Sequence, residues 1–427
     1  MTFEEAEQYL AALRGGGIRP GLVRMKRAME LAGNPHRRLR VVHIAGTNGK
    51  GSVARMVQAM ATAAGYRVGL YTSPAVTGLC DTITIDDRPI PPERFAALAD
   101  IWRARQEEMG ECGTLSEFEF VTALVLDYFA RERVELCVLE CGMGGLEDAT
   151  NVCPPPLAAV LTPIARDHTA FLGDTIEAIA AQKCGILKPP CRVVTSPAQS
   201  PEALAVIYEQ AAARGLTVRQ PNRAAATLLS QRVGEVTFAF AGETYTVPMG
   251  GAFQVDNALT ALEAAAVLRE CGFAIDEAAQ RRGLAAAALP GREEVTCRAP
   301  LTVLDGAHNP HGVAALANAL RETLGGTPLT LLYGMLRDKD TAACTALLAP
   351  LAKSVVCCTP PVPRGLDAAA LAAEFEEAGA ADVHVCPDPA EALAQARALA
   401  GKGPLLIGGS FYTVAAIRPL LRGNTGN

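Results

Sequence analysis

The chain has 427 residues, half of them hydrophobic, and a formal net charge of −6. That length exceeds what a single hydrophobic core organises, so two domains are expected, and the apolar content excludes a disordered chain. The acidic balance excludes the basic stripe of a nucleic-acid binder, and no apolar run approaches the roughly 18 residues of a membrane span.

The first ten residues, MTFEEAEQYL, are acidic and lack the basic-then-apolar pattern of a secretion signal, which predicts a cytoplasmic protein. Residues 41–53, VVHIAGTNGKGSV, carry the first chemistry. The β-branched run Val41 to Ile44 predicts a strand, the glycine-rich segment a tight turn, and the stretch from Val53 to Ala64 an amphipathic helix. Strand, glycine-rich loop and helix form a phosphate cradle. Glycines let backbone N–H groups approach an anion, and a helix N-terminus adds donors and a positive dipole end. Lys50 is placed to reach β/γ-phosphates and Ser52 to reach a magnesium ion. The strict pattern G-x-x-x-x-G-K-[ST] is not met: its first glycine falls on Ile44, and Gly51 separates Lys50 from Ser52.

Further apolar, strand-like runs alternate with Ala- and Leu-rich helical stretches: 67–71, 136–140, 158–162, 329–334, 354–358 and 405–407. This rhythm predicts α/β architecture with mostly parallel sheets. Glu140 ends one run beside Cys-Gly-Met-Gly-Gly, at the sheet edge that carries the phosphate loop, where a magnesium ligand belongs. His168 follows the next run. Lys183 lies among apolar and small residues, which leaves three readings open. It is a cation for the γ-phosphate, a desolvated amine that carbon dioxide converts to a carbamate, or a surface lysine. Pro154–Pro156 reads as a rigid surface connection.

From about residue 231 to 247 the texture changes to alternation around Ala241-Gly242, a hairpin signal. Two helices follow, the first over about 255–271, and then Leu289-Pro290-Gly291-Arg292, a helix stop and turn. The boundary is placed there, giving residues 1–289 and 290–427. The strand rhythm restarts with Leu301–Leu304 and runs into Asp305-Gly-Ala-His-Asn-Pro, a second loop suited to a nucleotide. Thirteen cysteines, an odd number without C-x-x-C, read as reduced and structural, with Cys137, Cys141 and Cys357 in apolar strand-like runs. His308 and His311 form an isolated H-x-x-H with no nearby cysteine, and zinc is not expected there.

Together these segments resemble the folylpolyglutamate synthase/dihydrofolate synthase family, within the Mur ligase superfamily. The resemblance runs through HIAGTNGKGS (43–52), YTSP (71–74), E-x-G-x-G-G-x-x-DATN (140–151), DHTAFLG (167–173), KCGILKP (183–189), LPGR (289–292), LDGAHNPHG (304–312), GMLRDKD (334–340) and GSFYTVA (409–415). It implies an N-terminal P-loop domain, a C-terminal Rossmann-like domain and ATP in the cleft between them. It also implies attack of a folate or dihydropteroate carboxylate on the γ-phosphate, and capture of the acyl phosphate by the amino group of L-glutamate. By resemblance, Thr47, Asn48, Gly49, Lys50, Gly51 and Ser52 cradle the phosphates. Ser52, Ser73, Glu140 and His168 serve two Mg²⁺ sites, and Lys183 matches a lysine that is carbamylated. Asn257, Arg292, Asp305 and His308 match nucleotide-contacting positions. The expected partners are small molecules, with no nucleic acid and no membrane, and the expected state is a monomer.

Four departures from the family pattern stand out. Cys80-Asp81-Thr82-Ile83 replaces a triplet containing arginine, and Leu146-Glu147 stands where Arg-Leu is expected. Gln182 replaces a glutamate, and Glu293 follows LPGR in place of an aromatic residue. The competing readings are a Mur-type ligase for another acid and amine, and a P-loop ATPase switch. The folate-branch blocks count against the first, and the joint retention of Lys50, Ser52, Glu140, His168 and Lys183 against a non-catalytic module.

Overall fold

A computed structural model describes residues 1–422 apart from 15, 16 and 18. The chain divides into two compact units: residues 1–74, 79–225 and 256–286, and residues 75–78, 226–255 and 287–427.

The first unit is built on an eight-stranded sheet. Its strands are β1 (Val41–Ala45), β2 (Val68–Tyr71), β3 (Ile83–Ile85), β4 (Arg88–Pro89), β5 (Leu136–Glu140), β6 (Ala158–Leu161), β7 (Arg192–Thr195) and β8 (Val218–Arg219). The order is β4-β3-β2-β5-β1-β6-β7-β8, parallel except for β3 and β4. Every residue of β1, β2, β5 and β6 is buried, as expected of parallel strands covered by helices on both faces. In β1, Ile44 lies beside Glu140 of β5 and Ala45 beside Leu161 of β6. The chain crosses from β1 through the helix Lys50–Ala63 to β2, with β5 inserted between the two strands. The ends of β2, β5, β1 and β6 therefore form four consecutive positions on one edge.

That helix starts at Lys50, nearly one turn before the predicted Val53. Composition makes Lys50 and Gly51 look like loop, but Gly49, with φ of 84°, already turns the chain into the helix. Residues 51–54 and 56–61 of the helix are buried, so it lacks the solvent-facing stripe that an amphipathic reading requires.

The second unit holds two sheets. The strands β9 (Ala226–Arg232), β10 (Glu235–Phe240) and β11 (Glu243–Val247) form an antiparallel sheet. The predicted turn lies at Ala241-Gly242, where both residues have positive φ, 53° and 85°. A second turn, at Val233-Gly234, adds β9, which the alternation pattern did not separate. The other sheet contains β12 (Glu294–Arg298), β13 (Leu301–Leu304), β14 (Leu329–Tyr333), β15 (Ala352–Cys357), β16 (Val383–Val385) and β17 (Leu405–Gly408). Its order is β12-β13-β17-β14-β15-β16, parallel except for β12 at the edge. The hairpin sheet, read in the sequence as N-terminal to the boundary, belongs to this unit by its contacts. Val233 packs in the same core as Val303, Leu331 and Leu406, which explains the assignment.

Candidate active site

The glycine-rich loop leaves the end of β1 and is fixed from its side. The Thr47 and Asn48 N–H groups both donate to the Pro163 carbonyl, at 2.9 and 3.2 Å. The Thr47 hydroxyl donates to the Ala165 carbonyl and accepts from the Ala165 N–H, each at 3.0 Å. Two glycines are obligatory. A Cβ on Gly46 would stand 1.8 Å from the Thr162 hydroxyl, and one on Gly49 would stand 2.4 Å from the Asn257 amide oxygen. Asn257, almost fully buried near the start of the helix Phe253–Glu270, thus lies directly against the loop. Lys50 Nζ folds over the loop and donates to the Thr47 carbonyl at 3.1 Å. Ser52 is buried in the first helical turn.

Glu140 ends β5 and is 3% exposed; its Oε2 accepts from the Ser73 N–H at 3.1 Å. Ser73 follows β2 and His168 follows β6. His168 takes a left-handed backbone, φ 52°, at the entry to the short helix Thr169–Leu172. Its N–H donates to Asp167 Oδ1 at 2.8 Å, and its Nε2 stands 4.0 Å from the same oxygen. Ser73, Glu140, the glycine-rich loop and His168 therefore occupy four neighbouring strand ends. Hydroxyl, carboxylate and imidazole donors suit a hard divalent cation. Among the described residues no group of three or more His, Cys, Asp or Glu could hold a metal alone. Magnesium fits such a set, because it keeps waters and takes substrate phosphate oxygens as remaining ligands.

Lys183 is not a surface lysine. It is 3% exposed at the end of the helix Ile176–Lys183, and its Nζ donates to the Gly46 carbonyl at 2.7 Å. Burial, reinforced by the Lys50 charge, pushes its pKa down to about 7; Cys141, Asp167 and Asp148 act in the opposite direction. The loop after Glu140 holds this helix end. Leu146 N–H donates to the Gln182 carbonyl at 2.8 Å, and Asn151 Nδ2 bridges the Leu146 and Gly185 carbonyls at 3.1 and 3.2 Å. The approach is too close for side chains: a Cβ on Gly185 would stand 2.2 Å from Leu146 Cα, and one on Gly145 2.7 Å from the Lys183 carbonyl.

Sequence reasoning assigned no role to Asp148, Thr150 or His43. Asp148 is buried and accepts from the Met143 and Thr150 N–H groups, at 2.8 and 3.0 Å, and from the Thr150 hydroxyl. It thereby folds the loop between Glu140 and Asn151. Thr150 Oγ1 lies 2.8 Å from His43 Nε2, deep beneath the loop, and burial pushes the His43 imidazole down to about 3. His43 is thus a neutral hydrogen-bonding wedge. The available signal was Asp two residues before Thr, an Asx-turn pattern.

In the second unit, Asp305 follows β13. Its Oδ1 accepts from the Ala307 N–H at 2.7 Å and its Oδ2 from the Glu293 N–H at 2.8 Å. Burial raises its pKa, while Arg292 and His308 draw it down. Arg292 stacks on the Phe411 ring, 4.1 Å from its centroid, and His308 meets the same ring edge-on at 5.6 Å. Arg292 and His308 therefore meet on Phe411, which the sequence reading did not single out, with Asp305 near enough to feel both charges.

The departures sort by exposure. Leu146 is exposed, but Thr82 is buried, with its hydroxyl donating to the Leu79 carbonyl at 2.7 Å.

A phosphate loop, an acid on the neighbouring strand and a buried lysine define a Mur-type ligase. Residues 44–265 match the Mur ligase middle domain, and residues 291–410 match the Mur ligase glutamate ligase domain. The chain is 33% identical over 434 residues to a dihydrofolate synthase/folylpolyglutamate synthase of Bacillus subtilis, covering 99% of each. It is 37% identical to a probable bifunctional folylpolyglutamate synthase/dihydropteroate synthase of Haloferax volcanii, and spans 98% of itself but only 50% of that protein's length. The solved folylpolyglutamate synthase of Mycobacterium tuberculosis complexed with ADP superposes with a TM-score of 0.89 at 33% identity, over 98% of both chains. The chain belongs to the folylpolyglutamate synthase family. Among the described residues no helix is long and apolar enough to cross a membrane.

Proposed function

We propose that the protein is an ATP-dependent ligase that joins L-glutamate to a folate, with dihydropteroate as a second acid. The observation that carries this reading is Lys183, buried beneath the phosphate loop with its Nζ 2.7 Å from the Gly46 carbonyl. A nucleotide-binding module has no need of a desolvated amine there. A ligase that presses a carboxylate against a triphosphate must offset the repulsion of two anions; metal held inside the site would do so, and a buried, partly neutral amine can be converted to an anionic donor for it.

Each residue has a part. The N–H groups of residues 47–52 and the Lys50 ammonium bind the phosphates, with Gly49 and Gly51 keeping the approach open. Asn257 braces the loop, while Arg292, Asp305 and His308 of the second unit contact the nucleotide. Ser52, Ser73, Glu140 and His168 would hold magnesium in two sites, where it would supply charge neutralisation on the phosphates and the acyl group. The carboxylate oxygen of the acid attacks the γ-phosphorus and ADP leaves. The glutamate amine then attacks the acyl carbon, phosphate leaves, and the nitrogen loses its proton to complete the amide.

Lys183 is proposed to work as a carbamate. Its amine is half neutral near its pKa of about 7, and only the neutral amine attacks carbon dioxide, losing a proton as the N–C bond forms. The product is an anion, which would supply a carboxylate-like donor for magnesium. A molecule acting on small substrates as a cytoplasmic monomer completes the proposal, with 1–289 and 290–427 as the division along the sequence and the hairpin sheet of residues 226–247 packed with the second part. The two Mur ligase matches, which fall on either side of residue 289, support that boundary.

Labelled glutamate supplied with dihydropteroate, or with mono- to triglutamyl folates, tests the function. Incorporation into the acid fraction that requires ATP and magnesium supports it. ATP turnover without incorporation for any of these acids would transfer the fold to another acid and amine.

A further inference from the structure

Glu293 places an acid where the family pattern has an aromatic residue, and the fold buries it to 1% exposure. It precedes β12 with a left-handed backbone, φ 44°. Its Oε1 accepts from the Gly234 N–H at 3.2 Å, in the turn between β9 and β10, and its Oε2 is buried without a hydrogen-bond partner. The carboxyl presses on Gly250, where a Cβ would stand 2.2 Å from its carbon. Its own N–H holds Asp305 Oδ2 at 2.8 Å. One residue thus ties the hairpin turn to the segment that carries Arg292 and Asp305.

We propose that Glu293 is a positioning residue for nucleotide binding that works only as the neutral acid, fixing Asp305 through its main chain while its carboxyl fastens the hairpin turn. The proposal rests on the reading of Arg292, Asp305 and His308 as nucleotide contacts. An ionised carboxylate with a single donor cannot be held in a dry site, whereas the neutral acid is tolerated. The charges around it agree. Burial, reinforced by the like charge of Asp305, pushes Glu293 up to about 8, against the pull of the Gly234 N–H. Arg292 and His308 draw down Asp305. The adjacent Glu294 is paired with Arg418 at 2.7 Å, and across the turn Arg232 is paired with Glu235 at 3.1 Å. Loss of the proton leaves two carboxylates to share one buried corner, and Asp305 loses its fixed place.

The test is magnesium-ADP affinity by calorimetry at about pH 7 and about pH 9, in the full chain and in Glu293→Gln and Glu293→Leu. Ionisation one unit above the pKa predicts that the wild-type Kd rises about tenfold, while both variants change by less than about twofold. Titration of Lys183 and of ADP is common to all three proteins and cancels in the comparison. Two variants are used because either one alone can fail to fold. A tenfold rise in the variants as well would overturn the role of Glu293 and leave the nucleotide site standing. No ADP binding by any of the three at either pH would overturn the site reading, and the proposal with it.

Discussion

Replacing Lys183 by methionine should inactivate the enzyme and make it more stable. The buried Nζ has its pKa pushed from 10.5 to about 7. At about pH 7 the folded protein therefore gives up roughly 4 kcal/mol relative to an ordinary lysine, at 1.36 kcal/mol per unit. The sign follows from proton binding. Between about pH 7 and pH 10 the unfolded chain holds more protons at this residue than the folded one, so stability rises with pH across that window. The cost is fully present below pH 7 and fades above it. Methionine fills similar volume without the charge but leaves the Gly46 carbonyl unpaired, at about 1–3 kcal/mol. The net gain at about pH 7 is roughly 1–3 kcal/mol, or a few degrees in Tm for a protein of this size. Thermal unfolding in carbon-dioxide-free buffer, from about pH 6.5 to 8.5, reads the effect as the variant minus wild type. That difference removes the opposing titration of buried thiols such as Cys184, whose pKa burial raises to about 12. The variant's advantage should shrink as pH rises. A variant less stable than wild type by the same margin at every pH would refute the desolvated-amine account.

Other substitutions probe the same edge of the sheet. Lys50→Ala should lower kcat by about 10²–10³, roughly 3 kcal/mol of transition-state charge stabilisation, with unfolding unchanged; near-normal kcat would remove the loop assignment. Glu140→Ala and His168→Ala should shift the magnesium midpoint of activity upward at saturating ATP, and an unmoved midpoint in both would make them structural. Gly49→Ala forces a left-handed alanine, at about 1 kcal/mol, and drives its Cβ into Asn257; ATP KM should rise well beyond what that modest stability loss explains. An unchanged KM would show that the loop tolerates a side chain. Lys183→Arg should stay inactive if the carbamate is the working form, and full activity would show that a positive charge suffices.

The parts of this molecule that were legible in the sequence are those written in short-range pattern. β1, β5 and β6 are apolar runs buried on both faces, and their type and ends follow from composition. The glycine-rich loop followed from the order of strand, glycines and helix, and the positive φ of Gly49 agrees with it. The hairpin turn at Ala241-Gly242 was readable because the turn chemistry is local, whereas β9 was hidden because Val233-Gly234 lacks a strong turn dipeptide. The placement of the hairpin sheet with the second unit depends on Val233 entering a distant core, and no local signal encodes that. At the site, Ser73 came only from the family resemblance, whereas Glu140 and His168 could be placed by reasoning about strand ends. Asp148 and Asn151 could not, because their work is to fold a loop against the end of a helix far along the chain. The burial of Thr82 is likewise set by the fold and has no local signal in Cys80-Asp81-Thr82-Ile83.

The central claim is that an acid is activated by phosphoryl transfer before glutamate attacks. The most direct measurement uses folate or dihydropteroate labelled with heavy oxygen in the accepting carboxylate, with ATP, magnesium and glutamate, and mass analysis of the phosphate released. Attack of that carboxylate on the γ-phosphorus predicts one labelled oxygen in the phosphate for each amide formed, with little ADP made when the acid is omitted. Unlabelled phosphate, or steady ADP formation that ignores the acid, would contradict the account.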